Sequence, residues 1–409
     1  MKRLLVLGAG TAGTMVVNKL RPRLDPAQWQ ITIVDETPCH HYQPGFLFIP
    51  FGIYRRQDVE KPKRDFIPAG VDLVMGTIEA IDPEAQRVTL ADGQQLSYDY
   101  LVIATGTHPT PSQTPGLEAP ALGDTIHHYY TLEGALALHE RLKTWEGGRL
   151  VINIMELPFK CPVAPFEFTF LADWWLQEHG RRDKVEIVFA TPMSEVFTKP
   201  IAASHLTHVL ESKRVSVETD FYVESIATDR SALVAYDGRE LPYDLLVTVP
   251  VNMGAEVIAR SGLGDELNHV PVDRGTFLSP KHPNIFAIGD AAALPTSKAG
   301  SVAHFSVEVF AENFPRYVDG LEMLERFDGH ANCFIESGFG KGLLIDFNYD
   351  TEPLPGKYPL PGIGPFSLLQ ETVTNHWGKM MFRWVYWNLL LRGREMPLPA
   401  EMTMYGKVR

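Results

Sequence analysis

Residues 2–13 read Lys2-Arg3-Leu4-Leu5-Val6-Leu7-Gly8-Ala9-Gly10-Thr11-Ala12-Gly13. A short apolar run ends in GxGxxG, and helix-forming residues continue through about Leu20. This is the pattern of a buried parallel strand, a glycine turn and a helix. In such a turn Gly8 allows the tight reversal, and Gly10 lets a pyrophosphate approach bare backbone at the helix N-terminus. Gly13 lets helix and strand pack closely. The next strand, Ile31-Thr32-Ile33-Val34, ends at Asp35, where an acid can accept ribose hydroxyls; Glu36 is the alternative acid. The unit reads as a dinucleotide site.

Working outward, strands and helices alternate, which predicts a parallel α/β architecture. Tyr100-Leu101-Val102-Ile103-Ala104 is a strand closed by Thr105-Gly106, and Pro109, Pro111 and Pro115 mark a crossing linker. A second unit opens at Leu150-Val151-Ile152-Asn153-Ile154. It continues through a helical stretch at 164–178 and a strand at Val185–Phe189, and closes at Leu245–Val249. Ile285-Phe286-Ala287-Ile288-Gly289-Asp290 again reads strand, glycine, helix. The expected division is a discontinuous first domain (1–110 and 250–325), a second Rossmann-like domain (111–249) and a C-terminal region (326–409). Residues 353–365 hold five prolines and three glycines and are expected to form a loop.

The composition excludes several function classes. The 409 residues are 45% hydrophobic and 21% charged, a globular balance. Asp plus Glu outnumber Lys plus Arg 50 to 37, for a net charge of −13, which disfavours a nucleic-acid partner. The apolar run at the first strand is too short for a secretory h-region, and no run of about 20 apolar residues predicts a bilayer-crossing helix. The three cysteines, Cys39, Cys161 and Cys333, form no CxxC, so neither a thiolate zinc site nor a disulfide framework is expected. One redox-active pair is compatible with them.

The strand at 151–154 is followed by Met155-Glu156-Leu157-Pro158-Phe159-Lys160-Cys161-Pro162, a crossover without glycine. A second pyrophosphate needs bare backbone there, so no nicotinamide site is expected in the second domain. Toward the C-terminus, Trp377, Met380, Met381, Trp384, Trp387 and Leu391 recur at helical spacing, with Lys379 and Arg383 on the other side and Leu389-Leu390-Leu391, Arg392 and Arg394 beyond. Aromatic residues and methionine on an amphipathic helix suit a bilayer interface.

Three motifs carry a resemblance. Ala104-Thr105-Gly106 and Ile288-Gly289-Asp290-Ala291-Ala292 look like the two-dinucleotide-domain flavoproteins of the disulfide reductase superfamily. Lys160-Cys161-Pro162-Val163-Ala164-Pro165-Phe166-Glu167 resembles the CPxAPxE segment of sulfide:quinone oxidoreductases and flavocytochrome c sulfide dehydrogenases, as do Thr296–Ser301 and Cys333-Phe334-Ile335-Glu336. The resemblance covers nearly the whole chain. It implies FAD, with Asp290 near the ribityl-phosphate portion, and a cysteine pair, Cys161 and Cys333, across the flavin. It implies that hydrosulfide attacks a disulfide, that Cys161 carries the persulfide, and that the Cys333 thiolate attacks flavin C4a.

Glu167 is the candidate proton carrier, Lys298 a holder of negative charge, and Lys379 a lysine near quinone or flavin. Phe334, Phe339 and Phe347, with Tyr349, are the candidates for an apolar quinone pocket. Many members carry a third cysteine near Thr125–Tyr130; none stands here, which excludes a flavin thioether at that place. Cys39 is read as an ordinary thiol, with a flavin-linked role as the alternative. The implied activity is oxidation of sulfide to sulfane sulfur, with electrons passing to a membrane quinone at a peripheral, monotopic site; the side of the membrane and homo-oligomerisation stay open. The alternatives are a single-subunit NADH:quinone oxidoreductase, a flavocytochrome c type sulfide dehydrogenase subunit, and a non-enzymatic flavin-binding scaffold.

Overall fold

A computed structural model describes residues 1–118, 121–324, 326–360, 362–396 and 398–408. The strand Lys2–Leu7 is central in a five-stranded parallel sheet ordered Ile285–Ala287, Tyr100–Ile103, Lys2–Leu7, Trp29–Asp35, Val71–Met75. Leu4, Leu5, Val6 and Leu7 are all buried, as a parallel strand covered on both faces requires. The helices Thr11–Leu20 and Gly300–Val318 pack against one another beside this sheet.

A second five-stranded parallel sheet is ordered Ile126–His127, Leu245–Val249, Gly148–Ile154, Val185–Ala190, Val215–Glu218. Its helix Ala164–Glu178 is buried along most of its length, and the strand Ala331–Gly338 packs on it. The chain passes between the two sheets through an antiparallel pair, Thr107–Pro109 with Asn252–Gly254. Three-stranded antiparallel sheets at 78–97 and 223–242 flank the two cores.

Two expectations need correction. The strand Ile285–Ala287 does not lead straight into a helix: Gly289–Ala291 is a single tight turn, and the helix starts at Gly300. The segment 353–365 is not a loop but a hairpin, Gly356–Leu360 with Gly364–Leu368, in the sheet ordered Ala331–Gly338, Lys341–Phe347, Gly364–Leu368, Gly356–Leu360. Its prolines fit because Gly356–Leu360 is an edge strand, where a missing N–H is harmless. Pro365 lies beyond the single Leu344–Leu368 pairing that joins its strand to the rest of the sheet. Pro361, counted in that loop, lies outside the described residues.

The helix Val373–Val385 crosses this last sheet. It approaches so closely at Gly378 that a Cβ there would sit 2.7 Å from the rings of Phe334 and Phe366. Its last turn widens at Tyr386–Leu390, where the Leu391 N–H reaches back to the Tyr386 carbonyl.

Candidate active site

The C-terminal ends of the strands in the first sheet open on a cleft of about 390 Å³. Gly8 takes φ +95°, and a Cβ on it would lie 2.5 Å from the Ala104 carbonyl oxygen. Gly13 is packed tighter still, since its Cβ would meet the Gly8 oxygen at 1.9 Å. Gly10 faces open space. No side chain caps the helix Thr11–Leu20 and its first turn holds no acid, so its leading N–H groups are available to an anion.

At one end of the cleft the Asp35 carboxylate accepts the Ala9 N–H at 2.7 Å and pairs with buried Lys63 at 2.5 Å. Burial alone would raise its pKa, but Lys63 and the backbone donors hold it below the usual carboxylate range. At the other end Asp290 pairs with Lys160 at 3.1 Å. Gly106 and Gly289 both take positive φ, and Gly289 packs on Ala12. The buried Thr105 hydroxyl has no partner among the described residues and lies on the cleft. An elongated cleft with one uncapped helix end, a glycine cradle and an orphaned donor fits a dinucleotide.

Lys298 is spent differently from the sequence expectation. Its ammonium donates to the carbonyls of Asp290 and Ala292, at 2.9 and 2.5 Å, and burial lowers its pKa to about 8. Its own carbonyl accepts the Cys161 N–H at 2.8 Å. Lys298 thereby fastens the cysteine crossover to the Asp290 turn.

Cys161 lies on the cleft with φ +56°, just ahead of the helix Ala164–Glu178. Cys333 is buried on the strand Ala331–Gly338. Burial and then the Glu167 charge push the Cys161 thiol up to about 11, against the pull of Lys379. Burial and then the Cys161 charge push Cys333 up to about 12, again opposed by Lys379. The two thiols therefore feel each other and share one cation.

That cation is already engaged. Glu167, 1% exposed, accepts the Lys379 ammonium at 2.7 Å and the Glu336 N–H at 2.8 Å. Burial raises the Glu167 pKa. For Lys379 burial works downward, but Glu167 and the thiols outweigh it and raise the pKa. Lys379 also donates to the Phe334 carbonyl at 3.1 Å. The Glu336 carboxylate, its pKa raised by burial, holds His376 Nδ1 at 2.9 Å. Polar groups thus run from the thiols to a histidine that is partly exposed.

The C-terminal region completes the cleft. The Tyr386 hydroxyl sits 2.7 Å from both Thr11 Oγ1 and His40 Nε2, tying the last helical turn to the glycine loop. Burial, then Lys63, drive the His40 pKa down to about 3. Pro44, Phe46, Leu47 and Phe382 give the cleft an apolar flank beside Lys379.

Several sequence-predicted residues lie elsewhere. Phe339 is in an exposed turn against Lys213, and Phe347 is buried near Lys199; neither lines the cleft. Tyr349 packs on Phe327 and Arg274. Phe334 packs on Phe366 behind Lys379. Of the proposed interface face, Trp377, Met381 and Trp384 are exposed, but Trp387 and Leu391 are buried and Met380 turns toward the Tyr54 hydroxyl. Leu390 is buried too, so the leucine run does not extend the patch. The hairpin residues Leu360 and Ile363 are exposed as well.

Sequence reasoning missed Lys63, His40, His376 and Tyr386. Their partners come from distant segments, so no local spacing announces them. Thr11, Lys160 and Glu336 stand inside the glycine and cysteine motifs and carried a signal that was not used.

Residues 2–152 match the family model described as pyridine nucleotide-disulphide oxidoreductase. The mitochondrial sulfide:quinone oxidoreductase of Dictyostelium discoideum is 28% identical over 400 residues, covering 96% of this chain and 86% of that protein. The Schizosaccharomyces pombe protein of the same name is 28% identical, covering 95% of this chain and 90% of its own length. The crystal structure of the Aquifex aeolicus sulfide:quinone oxidoreductase superposes with a TM-score of 0.82 at 22% identity, covering 96% of this chain and 92% of that one. The chain therefore resembles this group over nearly its whole length and shares its α/β fold.

Proposed function

We propose that this chain is an FAD-dependent sulfide:quinone oxidoreductase. The observation that carries the proposal is the placement of Cys161 on the dinucleotide cleft, electrostatically coupled to Cys333, with the Lys379–Glu167 pair facing both. FAD is held by the Gly8–Gly13 loop with Asp35 at the nucleotide end, and by Thr105, Gly106, Gly289 and Asp290 at the other.

In the oxidised enzyme Cys161 and Cys333 are joined. Hydrosulfide attacks the Cys161 sulfur, a sulfur–sulfur bond forms there, the old one breaks, and Cys333 leaves as a thiolate. Lys379 favours that thiolate, and buried Glu167 takes the proton that hydrosulfide brings. A second sulfur nucleophile removes the sulfane sulfur from Cys161. Rejoining the two thiolates releases the electron pair that FAD accepts when bound and passes to quinone. His376, through Glu336, is the route by which protons leave. Quinone approaches along Phe46, Leu47 and Phe382 rather than along Phe339 and Phe347.

Among the described residues no helix is long and apolar enough to cross a membrane. The exposed Trp377, Met381 and Trp384, with Leu360 and Ile363 of the hairpin, support docking on a bilayer surface. The NADH:quinone alternative needs a second pyrophosphate turn, and residues 155–162 offer no glycine for one.

Anaerobic titration with sulfide in the presence of FAD tests the reading. Sulfide bleaches the flavin, a soluble quinone restores it, and NADH does neither. Bleaching by NADH but not by sulfide overturns the proposal.

A further inference from the structure

Two phenols stand in the segment that carries no cysteine. The strand Ile126–His127 runs parallel to Leu245–Val249 and delivers Tyr129 and Tyr130 to the edge of the cleft. The next residue, Thr131, accepts the Gly134 N–H at 3.0 Å and starts the helix Leu132–Thr144. The Tyr130 N–H donates to His128 Nδ1 at 3.2 Å. The Tyr129 ring is stacked on Phe168, with centroids 4.9 Å apart and planes within 6°. The Tyr130 ring lies 5.0 Å from that of Tyr129. Backbone and ring stacking therefore both fix where these side chains point.

Both hydroxyls are buried, and beyond each other neither has a hydrogen-bond partner among the described residues. A buried donor left unsatisfied is costly, so such a group in a cleft calls for an acceptor. A phenol has one proton, so even a bond between the two hydroxyls would leave one donor uncommitted. The charged groups that bear on Tyr130 are Cys161 and Glu167, and the same two bear on Tyr129. Asp35 and Lys63, which mark the nucleotide end, do not. Burial first, and then these neighbours, raise both phenol pKa values well above the ordinary value, so both stay protonated donors.

We propose that Tyr129 and Tyr130 form the donor pair for the sulfur anions at Cys161: the Cys161 thiolate itself, the incoming hydrosulfide and then the terminal sulfur of the persulfide. This rests on the sulfide-oxidising reading above. No bond to the phenols forms or breaks; they lend hydrogen bonds and keep their protons. Neutral donors suit the place, because Lys379, the cation that bears on Cys161, is held by Glu167.

The test uses the FAD-loaded protein and the variants Tyr129→Phe, Tyr130→Phe and both together. Phenylalanine keeps the stack on Phe168, and retained flavin content verifies the fold. After chemical reduction, iodoacetamide alkylation of Cys161 is followed by peptide mass spectrometry between about pH 7 and pH 10. Each lost donor to the thiolate slows Cys161 alkylation about tenfold across that range, with Cys39 unchanged as internal control. The KM for sulfide rises by a similar factor. An unchanged Cys161 profile in the double variant overturns the proposal. Failure of the wild type to bleach with sulfide overturns the underlying reading instead, and is visible separately because alkylation needs no turnover.

Discussion

The Lys379 ammonium lies 2.7 Å from a Glu167 oxygen, and that contact joins the C-terminal helix to the helix that follows Cys161. It is a buried pair, so its net stabilisation is small while the loss of one partner is costly. Its chemical effect is on the thiols, which both lean on the same cation.

Replacing Lys379 by methionine removes a charge that favours thiolate at both cysteines. The thiol pKa values rise further, and Cys161 alkylation at pH 8 slows at least about tenfold, one pKa unit being a factor of ten. Unchanged alkylation kinetics in that variant would show that the ammonium does not serve the sulfur chemistry.

Cys161→Ser and Cys333→Ser each abolish sulfide-dependent flavin bleaching while leaving the flavin bound, because neither belongs to the glycine cradle. Cys39→Ser keeps turnover. Stopped-flow absorbance decides the matter, and full turnover by the Cys161 variant contradicts the scheme.

In the glycine loop the two positions differ. Gly13→Ala drives a Cβ into the Gly8 carbonyl and yields protein that is flavin-free or unfolded. Gly10→Ala meets no protein atom, so the variant folds, but its methyl group intrudes where the pyrophosphate approaches. The expected result is an unchanged melting temperature for the apoprotein and FAD affinity weakened about tenfold or more, read by equilibrium dialysis.

Trp377 and Trp387 were one face in the sequence and are two environments in the fold. The double change Trp377→Ser and Trp384→Ser weakens binding to lipid vesicles and leaves the melting temperature unchanged, since both side chains are exposed. Trp387→Ala costs about 3–5 kcal/mol of stability because its ring is buried beside Phe66 and Tyr386. Vesicle co-sedimentation and denaturant titration separate the two; equal effects would refute the division.

Three buried histidines give the fold an acid limit. Burial lowers His40 to about 3 and His128 and His304 to about 4. Above the ordinary histidine value of about 6.5 they contribute no pH dependence. Below it the unfolded chain binds protons that the folded chain refuses, so stability falls with falling pH, by about 1.4 kcal/mol per histidine per pH unit, until the folded values are reached. Urea unfolding between about pH 7 and pH 5 measures the slope, which is shallower in His304→Leu; an identical slope there contradicts the assignment.

Much of the fold was written in local pattern. The helix at Ala164–Glu178 and the strand at Leu245–Val249 fall where apolar spacing puts them. The hairpin at 356–368 did not, because prolines signal a loop unless the strand is known to be an edge. The interface face was legible only in part. Tyr386–Leu390 is wound with one extra residue in the turn, which rotates Leu391 off the stripe predicted from 3.6-residue spacing. At the site, glycine spacing and the cysteine segment were readable because each requires neighbours in sequence. The pairing of Glu167 with Lys379, and of Glu336 with His376, was not, because those partners meet only after three sheets have been assembled.

The crossover at 155–163 can serve only one trade. Cys161 holds a left-handed backbone there and is bonded to Lys298, so the stretch is committed to carrying a sulfur atom. Bare peptide for a soluble hydride carrier and a fixed thiol are rival uses of the same few residues. On the function proposed above, choosing the thiol leaves a pyrophosphate no bare turn in the second domain, so a flavin charged by sulfur keeps that route free of hydride traffic.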